Sequence, residues 1–453
     1  MHRVPFFSIL LITVLLSCNK QKKSSESPPA QNDLDGAKPN IVILFVDDYG
    51  WADVGYRNAK FHTPNINQLK DDGMDFTRAY IATPTCSPSR ASLLTGKEPV
   101  RIQMVRHIGD ELIEEYHQWE TDPVQMPSRN WLPLEEITYA ERLKEFGYYN
   151  MFIGKWHLGR EEFFPVYQGF DTQYGTSHHG HPKSYYHPFF KSDNPLPEFS
   201  EDDYLSDVLT DEAERFIKEY DKDQPFMLSL YYYNVHGPQI GRKDFVEQYE
   251  EEGLKGKDAE YAGQVSAMDE SVGRVRKVLE EKGIADNTVI VFLSDQGGLF
   301  SNIPLSGGKR GGNTLGEGGA RVPLIVHYPG HTEAKSTCDF PVQSLDIYPT
   351  LIEIASGKEC TDKQINGKSL IPLLHGKKME NRNLFFFRSY EDQYAAIMNG
   401  DWKLIKYHSG KYELFNIAQD ISEQHNLVET EPNLAAKMIE DLASWEDEAV
   451  PTY

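Results

Sequence analysis

Cysteine is scarce in this chain, which has four in 453 residues. Cys338 and Cys360 could form one disulfide if the protein is exported, because disulfides persist in oxidising compartments. The sequence does not fix the distance between them, so two unpaired buried thiols are the alternative. The other two, Cys18 and Cys86, lie in patterns that indicate different chemistry.

Positive charge is also in short supply. The chain has 46 lysines and arginines against 69 aspartates and glutamates, a formal net charge of -23. We therefore expect neither nucleic acid nor an anionic membrane surface as a partner. An acidic enzyme that acts on an anionic substrate must build a locally basic pocket.

Long apolar runs are missing too, and we find no transmembrane helix and no internal repeat. Phe6–Leu16 is too short to span a bilayer and is typical of a signal-peptide core. Leu15-Leu16-Ser17-Cys18 resembles a bacterial lipobox, which implies that residues 1–18 are a lipoprotein signal peptide and that Cys18 carries a lipid anchor. The alternative is an ordinary signal peptide with an incidental cysteine.

The remaining chain is composed like a globular protein, with 39% hydrophobic and 25% charged residues. Residues 19–38 are rich in Ser, Lys, Gln and Pro, which predicts a flexible tether. Residues 39–380 are long enough for one large domain. After residue 380 the pattern changes to short strands with hairpin-like turns and a closing helix, so residues 381–453 are predicted to form a smaller α+β subdomain.

Two apolar runs predict strands buried on both faces, as in a parallel sheet: Asn40–Val46 and Thr288–Leu293. Polar side chains follow at the carboxyl end of each run, where open α/β sheets bind ligands. They are Asp47, Asp48, Asp295 and Gln296. Adjacent carboxylates repel each other unless a cation or several donors neutralise them. Oxygen ligands of this kind suit a hard cation, Ca²⁺ or Mg²⁺.

The stretch Cys86–Gly96 predicts a short helix over Pro88–Thr95. Ser87 suits the N-cap, Pro88 the first turn, and Gly96 the left-handed position that ends a helix. Cys86 then lies beside an electropositive, anion-binding helix end, and Arg90 adds a cation to the first turn. A small buried thiol is one alternative. A cysteine phosphatase is another, but such enzymes have five residues between Cys and Arg, and this chain has three.

Basic side chains follow two further predicted strands and also lie in a Gly-rich stretch. Lys155 and His157 follow the predicted strand Tyr148–Ile153, and their spacing puts both on one face of an extended chain. His236 follows the predicted strand Phe226–Tyr232. The Gly-rich stretch Ser306–Pro323 contains Lys309, Arg310 and Arg321. The His-rich segment Asp171–Phe190 fits no standard zinc spacing and is predicted to shape the substrate pocket.

These motifs resemble those of the type I, formylglycine-dependent sulfatases of the alkaline-phosphatase-like superfamily. The matching segments are Cys-x-Pro-Ser-Arg with Thr-Gly, Gly-Lys-Trp-His-x-Gly, and Gly-Gly-Lys followed by Glu-Gly-Gly-x-Arg-Val-Pro. The resemblance implies an α/β fold with a large mixed, mostly parallel sheet sandwiched by helices, and a smaller C-terminal antiparallel-sheet subdomain. It also implies hydrolysis of a sulfate ester, with Cys86 oxidised to formylglycine by a separate maturation enzyme.

The resemblance also assigns roles to the residues. It implies Ca²⁺ rather than Mg²⁺, held by Asp47, Asp48, residue 86, Asp295 and Gln296, with Gln296 where Asn is usual. The hydrated aldehyde at residue 86 supplies the nucleophile, Arg90 holds it, and His157 acts as base for the release of sulfate. Lys155, His236 and Lys309 contact the sulfate group, and either His236 or Lys309 protonates the leaving oxygen. Because Arg310–Asn313 depart from the commoner spacing, Arg310 is an alternative to Lys309.

The expected substrate is a sulfated carbohydrate, and the expected location is the cell envelope. A phosphoester or phosphonate hydrolase of the same superfamily is the alternative enzyme. A non-catalytic glycan-binding lipoprotein is the alternative outside enzymes.

Overall fold

The computed structural model describes residues 1–2, 38–192, 194–197, 199–300 and 302–451. Gly36–Tyr453 forms one compact unit. The predicted signal peptide, the lipid anchor at Cys18 and nearly all of the predicted tether lie outside the described residues. The boundary between residues 380 and 381 stays a prediction.

The described part of the chain contains short and long strands in four sheets. In chain order the strands are β1 Asn40–Val46, β2 Met74–Phe76, β3 Ala79–Tyr80, β4 Tyr116–His117, β5 Ser128–Arg129, β6 Tyr149–Gly154, β7 Thr172–Tyr174, β8 Phe226–Tyr231, β9 Thr288–Ser294, β10 Arg321–Val322, β11 Leu324–His327, β12 Ser336–Cys338, β13 Val342–Gln343, β14 Asn383–Phe387, β15 Gln393–Asn399, β16 Trp402–Tyr407 and β17 Tyr412–Asn416.

The helices connect and cover these strands. They are α1 Pro64–Asp72, α2 Cys86–Thr95, α3 Tyr139–Glu145, α4 Leu205–Glu219, α5 Lys243–Glu251, α6 Lys257–Glu281, α7 Glu317–Ala320, α8 Ile347–Ser356, α9 Ile371–Leu374 and α10 Pro432–Ala449, with 3-10 turns at Glu161–Phe163, Pro165–Tyr167, Ala285–Asn287 and Ser344–Asp346.

The large sheet has eight strands in the order β12-β2-β11-β9-β1-β8-β6-β7. The pairs β9-β1, β1-β8, β8-β6 and β6-β7 are all parallel, whereas β11 runs antiparallel to both of its neighbours. The central strands are buried throughout, which is why their sequences are apolar runs without alternation. The predicted mixed, mostly parallel sheet is confirmed.

Helices cover both faces of this sheet. Alternate side chains of β1 divide between two apolar cores, with Val42 and Leu44 packing on the side of α4 and α6. Ile41 and Ile43 pack on the other side, with α2, α3 and α8. The period of two along β1 therefore builds a three-layer sandwich.

The smaller sheet is antiparallel, in the order β14-β15-β16-β17. The helix α10 packs against it through Met438, Leu442 and Trp445. This confirms the predicted C-terminal antiparallel subdomain as a structural element.

Two predicted helices differ from the observed ones. The predicted N-cap Ser87 is wrong: Thr85 is the N-cap of α2, so Cys86 is its first residue. The Ser87 hydroxyl instead accepts from the Ile108 amide at 3.0 Å. Gly96 ends α2 in the left-handed conformation, with φ of 67°, as predicted.

The segment Leu132–Tyr149, predicted as a helix with a preceding loop, has a helix only over Tyr139–Glu145. Thr138 and Glu141 form a capping box that starts it. The sequence contains this capping-box pattern, a threonine followed three residues later by a glutamate, at the point where the helix starts.

None of the described helices is long and apolar enough to span a bilayer. Cys86, Cys338 and Cys360 are all free thiols. Of the two alternatives for Cys338 and Cys360, the structure therefore has the unpaired one, although both side chains are only half-buried.

Candidate active site

The polar ends of β1 and β9 meet at one edge of the large sheet. Val46 is in register with Ser294, so the residues that follow these strands lie side by side. The Asp48 amide donates to Asp295 Oδ1 at 3.0 Å. Carboxylate oxygens of Asp47, Asp48 and Asp295 all lie within 4.8 Å of one another. The predicted convergence of these three side chains is therefore present in the structure.

All three carboxylates are completely buried, so their mutual repulsion is strong. Burial and the neighbouring charge of Asp47 raise the pKa of Asp295 well above its usual range. Burial also opposes ionisation of Asp47, but the charges of Lys155, His236 and Arg90 outweigh it and hold the pKa of Asp47 well below its usual range. Three buried carboxylates so close together form a group that could hold a metal ion.

Gln296 joins this group through its side-chain amide. Its Nε2 donates to Asp48 Oδ1 at 2.8 Å and lies 3.1 Å from Cys86 Sγ. A half-turn of the amide group would present its oxygen to the same space. The longer side chain therefore reaches Asp48 and Cys86, and its role as a metal ligand stays a prediction.

Cys86 is the first residue of α2, at the electropositive amino end of the helix. Its Sγ is 3.7 Å from Asp47 Oδ1, and only 6% of the residue is exposed. Ligand atoms of Asp47, Cys86 and His236 also lie within 4.8 Å of one another. Burial disfavours the thiolate, but the charges of Lys155 and Lys309 and a hydrogen bond to His236 together lower the pKa of Cys86.

Arg90 lies behind the carboxylates and is completely buried. It donates to Asp295 Oδ2 at 3.1 Å and to the Lys155 carbonyl at 2.8 Å. Its guanidinium also faces the rings of Phe45 and Tyr231. A fixed cation in this place compensates part of the buried negative charge.

Two lysines and a histidine complete the basic lining. Lys155 forms an ion pair with Asp47, and Lys309 forms one with Asp48. His236 Nε2 lies 3.8 Å from Asp48 Oδ2, and its Nδ1 bonds the Gly237 carbonyl. Burial lowers the pKa of His236, but Asp48, Asp47 and the hydrogen bond to Cys86 together outweigh this effect, and the net shift of the pKa is upward.

His157 is buried and held by one ring nitrogen. Its Nε2 lies 2.8 Å from the Ile108 carbonyl, so it carries the hydrogen and donates it. Its Nδ1 is buried without a partner. Burial and the charge of Lys155 lower the pKa of His157 to about 3. The ring is therefore neutral near pH 7, and its Nδ1 carries a lone pair with no hydrogen-bond partner among the described residues.

One family comparison decides what kind of protein this is. The family described as Sulfatase matches residues 39–357, most of the chain. This chain belongs to the sulfatase family. A second family, N-sulphoglucosamine sulphohydrolase, C-terminal, matches residues 313–447. The protein is a sulfatase, an enzyme that hydrolyses sulfate esters.

Individual relatives agree with this family. N-acetylgalactosamine-6-sulfatase of Mus musculus is 30% identical over 392 residues, covering 81% of this chain and 71% of its own. A sulfatase of Formosa agariphila is 29% identical and covers 96% of this chain and 92% of its own. Among solved structures, Ps i-CgsB in complex with k-i-k-neocarrahexaose has a TM-score of 0.79 and 31% identity, covering 91% of this chain and 93% of its own.

The sulfatase pocket also contains residues that the sequence did not indicate. Arg388 donates to the Pro84 carbonyl at 2.6 Å and to Thr85 Oγ1 at 3.0 Å, and Glu391 holds it at 2.9 Å. The Tyr390 hydroxyl also contacts Thr85 Oγ1. The residue that caps α2 is therefore held by the turn between β14 and β15.

A second unpredicted part of the sulfatase site is the segment around Ile108. Its amide donates to Ser87 and its carbonyl accepts from His157, so it bridges α2 and the predicted base. The half-buried His107 lies beside Trp119, with ring centroids 5.6 Å apart and the two rings tilted by 34°. Burial lowers the pKa of His107 to about 3.

The His-rich segment of the sulfatase borders the site but does not form a zinc centre in the part of the chain that the structure describes. The two groups of three metal-ligating side chains found there include none of its histidines. His181 stacks on His236 with an interplanar angle of 5°. This contact agrees with the prediction that the segment shapes the pocket.

Behind the Gly-rich loop lies a buried charge cluster, which we define as Glu317, Lys403 and Glu423. Lys403 Nζ lies 2.9 Å from an oxygen of each glutamate and is completely buried. Glu423 also accepts from the Glu317 amide at 2.7 Å and contacts Ser306. The cluster joins β16 to the loop that carries Lys309.

Proposed function

We propose that this sulfatase removes sulfate ester groups from a sulfated glycan, with residue 86 as formylglycine and Ca²⁺ in the acidic group. The observation that carries the proposal is the juxtaposition of Cys86 at a helix amino end with three buried carboxylates and two lysines. The complex of Ps i-CgsB with k-i-k-neocarrahexaose supports an oligosaccharide as the substrate.

The donor set fits a hard divalent cation. Asp47, Asp48, Asp295 and Gln296 would supply oxygen ligands, and residue 86 would complete the set. Thiolate ligands and paired imidazoles, which favour zinc, are not the main donors here. When bound, Ca²⁺ would neutralise the repelling carboxylates and withdraw charge from sulfate oxygens.

Formylglycine at residue 86 would add water to form a hydrated aldehyde with two hydroxyls, one of which attacks sulfur and displaces the alcohol of the substrate. Arg90 would hold this residue and compensate its charge, because its guanidinium is fixed by Asp295 and the Lys155 carbonyl. Lys155 and Lys309 would bind the sulfate oxygens and stabilise the charge that shifts in the transition state. Both ammonium groups now contact Asp47 and Asp48 and would reorient toward the substrate.

Two proton transfers remain. The free Nδ1 of His157 would take a proton from residue 86 during the release of sulfate, since its Nε2 is occupied by Ile108. His236 and Lys309 both lie beside Asp48, and either would protonate the leaving oxygen.

The direct test is release of inorganic sulfate from a panel of sulfated oligosaccharides by protein made in its native host. We expect turnover of at least one of them, and a peptide mass at residue 86 that corresponds to the aldehyde and not the thiol. Turnover of phosphate or phosphonate esters alone would favour the alternative hydrolase. Binding without any turnover would favour a glycan-binding protein.

Removal of the metal tests the acidic group separately. We expect chelation to abolish activity, because the negative charges of the carboxylates and of the sulfate group are then uncompensated. Added Ca²⁺ should restore activity. Ca²⁺ at 100 times its Kd should raise the free energy of unfolding by about 2.7 kcal/mol. Thermal unfolding with and without Ca²⁺ measures this, and an Asp48→Asn variant should lose most of the gain. Full activity in chelator with an unchanged Tm would contradict the metal assignment.

A further inference from the structure

Arg310 differs from the other arginines that the structure describes. Each of the others donates to a carboxylate or a carbonyl oxygen. Arg310 is exposed and has no such acceptor among these residues. This is unexpected in a chain with a net charge of -23, where carboxylates are abundant.

Arg310 is the immediate neighbour of Lys309, which pairs with Asp48 inside the pocket. The Lys309 amide donates to the Gly298 carbonyl at 3.2 Å, so the backbone here is fixed to the segment that follows β9. Arg310 therefore lies one residue from Lys309, and its side chain is exposed, whereas that of Lys309 reaches Asp48 in the pocket. Adjacent Cα atoms are about 3.8 Å apart, and an arginine side chain reaches further than that.

The far end of the loop is also anchored. Asn313 contacts Gln393 and bonds the Ser306 hydroxyl at 3.3 Å, and Thr314 donates to Glu391 at 2.8 Å. Gln393 and Glu391 belong to the same turn and strand that hold Thr85. Arg310 is thus carried on a short loop whose two ends are attached around the active site, at the rim of the pocket.

We propose that Arg310 binds a second sulfate group of the substrate while Lys309 and Lys155 bind the one that is hydrolysed. This inference rests on the proposed function and adds to it that the substrate carries at least two sulfate esters. A guanidinium matches the oxygens of a sulfate group with two parallel hydrogen bonds. Because the Arg310 guanidinium has no carboxylate partner, it is available to bind this sulfate group. A carboxylate partner would compete with the substrate for it.

The test compares two forms of the oligosaccharide that wild type desulfates, one with a single sulfate and one with two or more. For Arg310→Ala we expect a rise of about tenfold in KM for the polysulfated form, with kcat within about twofold of wild type. For the monosulfated form both constants should stay within about twofold. The KM of Arg310→Lys for the polysulfated form should lie between those of wild type and Arg310→Ala, because lysine keeps the charge but loses the planar pair of donors.

Lys222→Ala is the matched control. Lys222 is exposed and precedes β8, at the amino edge of the sheet and away from the site. Its replacement by alanine removes one positive charge, as Arg310→Ala does. Lys222→Ala should leave kcat and KM unchanged for both forms of the oligosaccharide. Wild-type KM for the polysulfated form should also rise with salt, and the slope should be shallower in Arg310→Ala.

Binding of the same oligosaccharides to the inactive Cys86→Ala chain, measured by calorimetry, separates this inference from the proposed function. If wild type releases no sulfate, the proposed function fails. The calorimetric comparison of binding with and without Arg310→Ala still tests whether Arg310 binds a second sulfate group. Equal effects of Arg310→Ala on both forms, or no effect on the polysulfated form, would overturn the inference.

Discussion

Replacing Cys86 by alanine is expected to lower kcat for sulfate release by about 10⁴-fold or more. Loss of a nucleophile removes the reaction path and leaves only binding and electrostatic assistance. The fold should survive, because the contacts of the thiol with Asp47, Gln296 and His236 are the weak hydrogen bonds of a sulfur atom. Initial rates on the best oligosaccharide of the panel measure the effect.

Cys338→Ala is the matched control for this variant. Cys338 is also a free thiol, but it lies in β12 at the outer edge of the large sheet. Its replacement should leave kcat within about twofold of wild type. Equal activity of Cys86→Ala and wild type would end the assignment of residue 86 as the nucleophile.

Replacing Lys403 by methionine should lower the free energy of unfolding by about 3–5 kcal/mol. Removal of one partner from a buried ion pair leaves an uncompensated charge, and here two glutamates lose the same partner. Glu317 keeps Arg321 at 3.2 Å, so the larger cost falls on Glu423. Denaturant unfolding measures the change.

The pH dependence of this variant gives a second readout. Burial already raises the pKa of Glu423 in spite of Lys403, and loss of the lysine should raise it further. A carboxyl with a raised folded-state pKa stabilises the fold below its unfolded value, near 4.5, and that contribution is lost as the pH rises. The deficit of Lys403→Met should therefore be larger at pH 8 than at pH 5.

Adding Glu423→Gln to Lys403→Met tests the cause. The double variant has no unpaired charge at Glu423 and should regain part of the lost stability, as coupled residues do. Equal stability of Lys403→Met and wild type, or additive losses in the double variant, would contradict the role of the buried charge cluster.

Local features of the sequence predicted much of the fold. The unbroken apolar runs of β1 and β9 indicated strands buried on both faces, and their parallel pairing is confirmed. Since both runs end in carboxylates, the convergence of Asp47, Asp48 and Asp295 followed from the pattern. The glycine at position 96 marked the end of α2 correctly.

Long-range contacts could not be predicted in the same way. Ser87 has the chemistry of an N-cap, but its hydroxyl is used by Ile108, and the cap passes to Thr85. Arg388 and Tyr390 reach Thr85 only because the small sheet packs beside α2. No spacing along the chain reveals such a contact, since the hydrogen-bonding groups come from unrelated segments.

The order of the chain has a consequence for biosynthesis. The arginine that holds the cap of α2 emerges from the ribosome 303 residues after Thr85 does. The glutamate that fixes the loop of Lys309 is made later still. Throughout that interval the nascent segment around Cys86 lacks the contacts that finally enclose it, so it stays accessible to other molecules until the carboxyl-terminal part of the chain has been made.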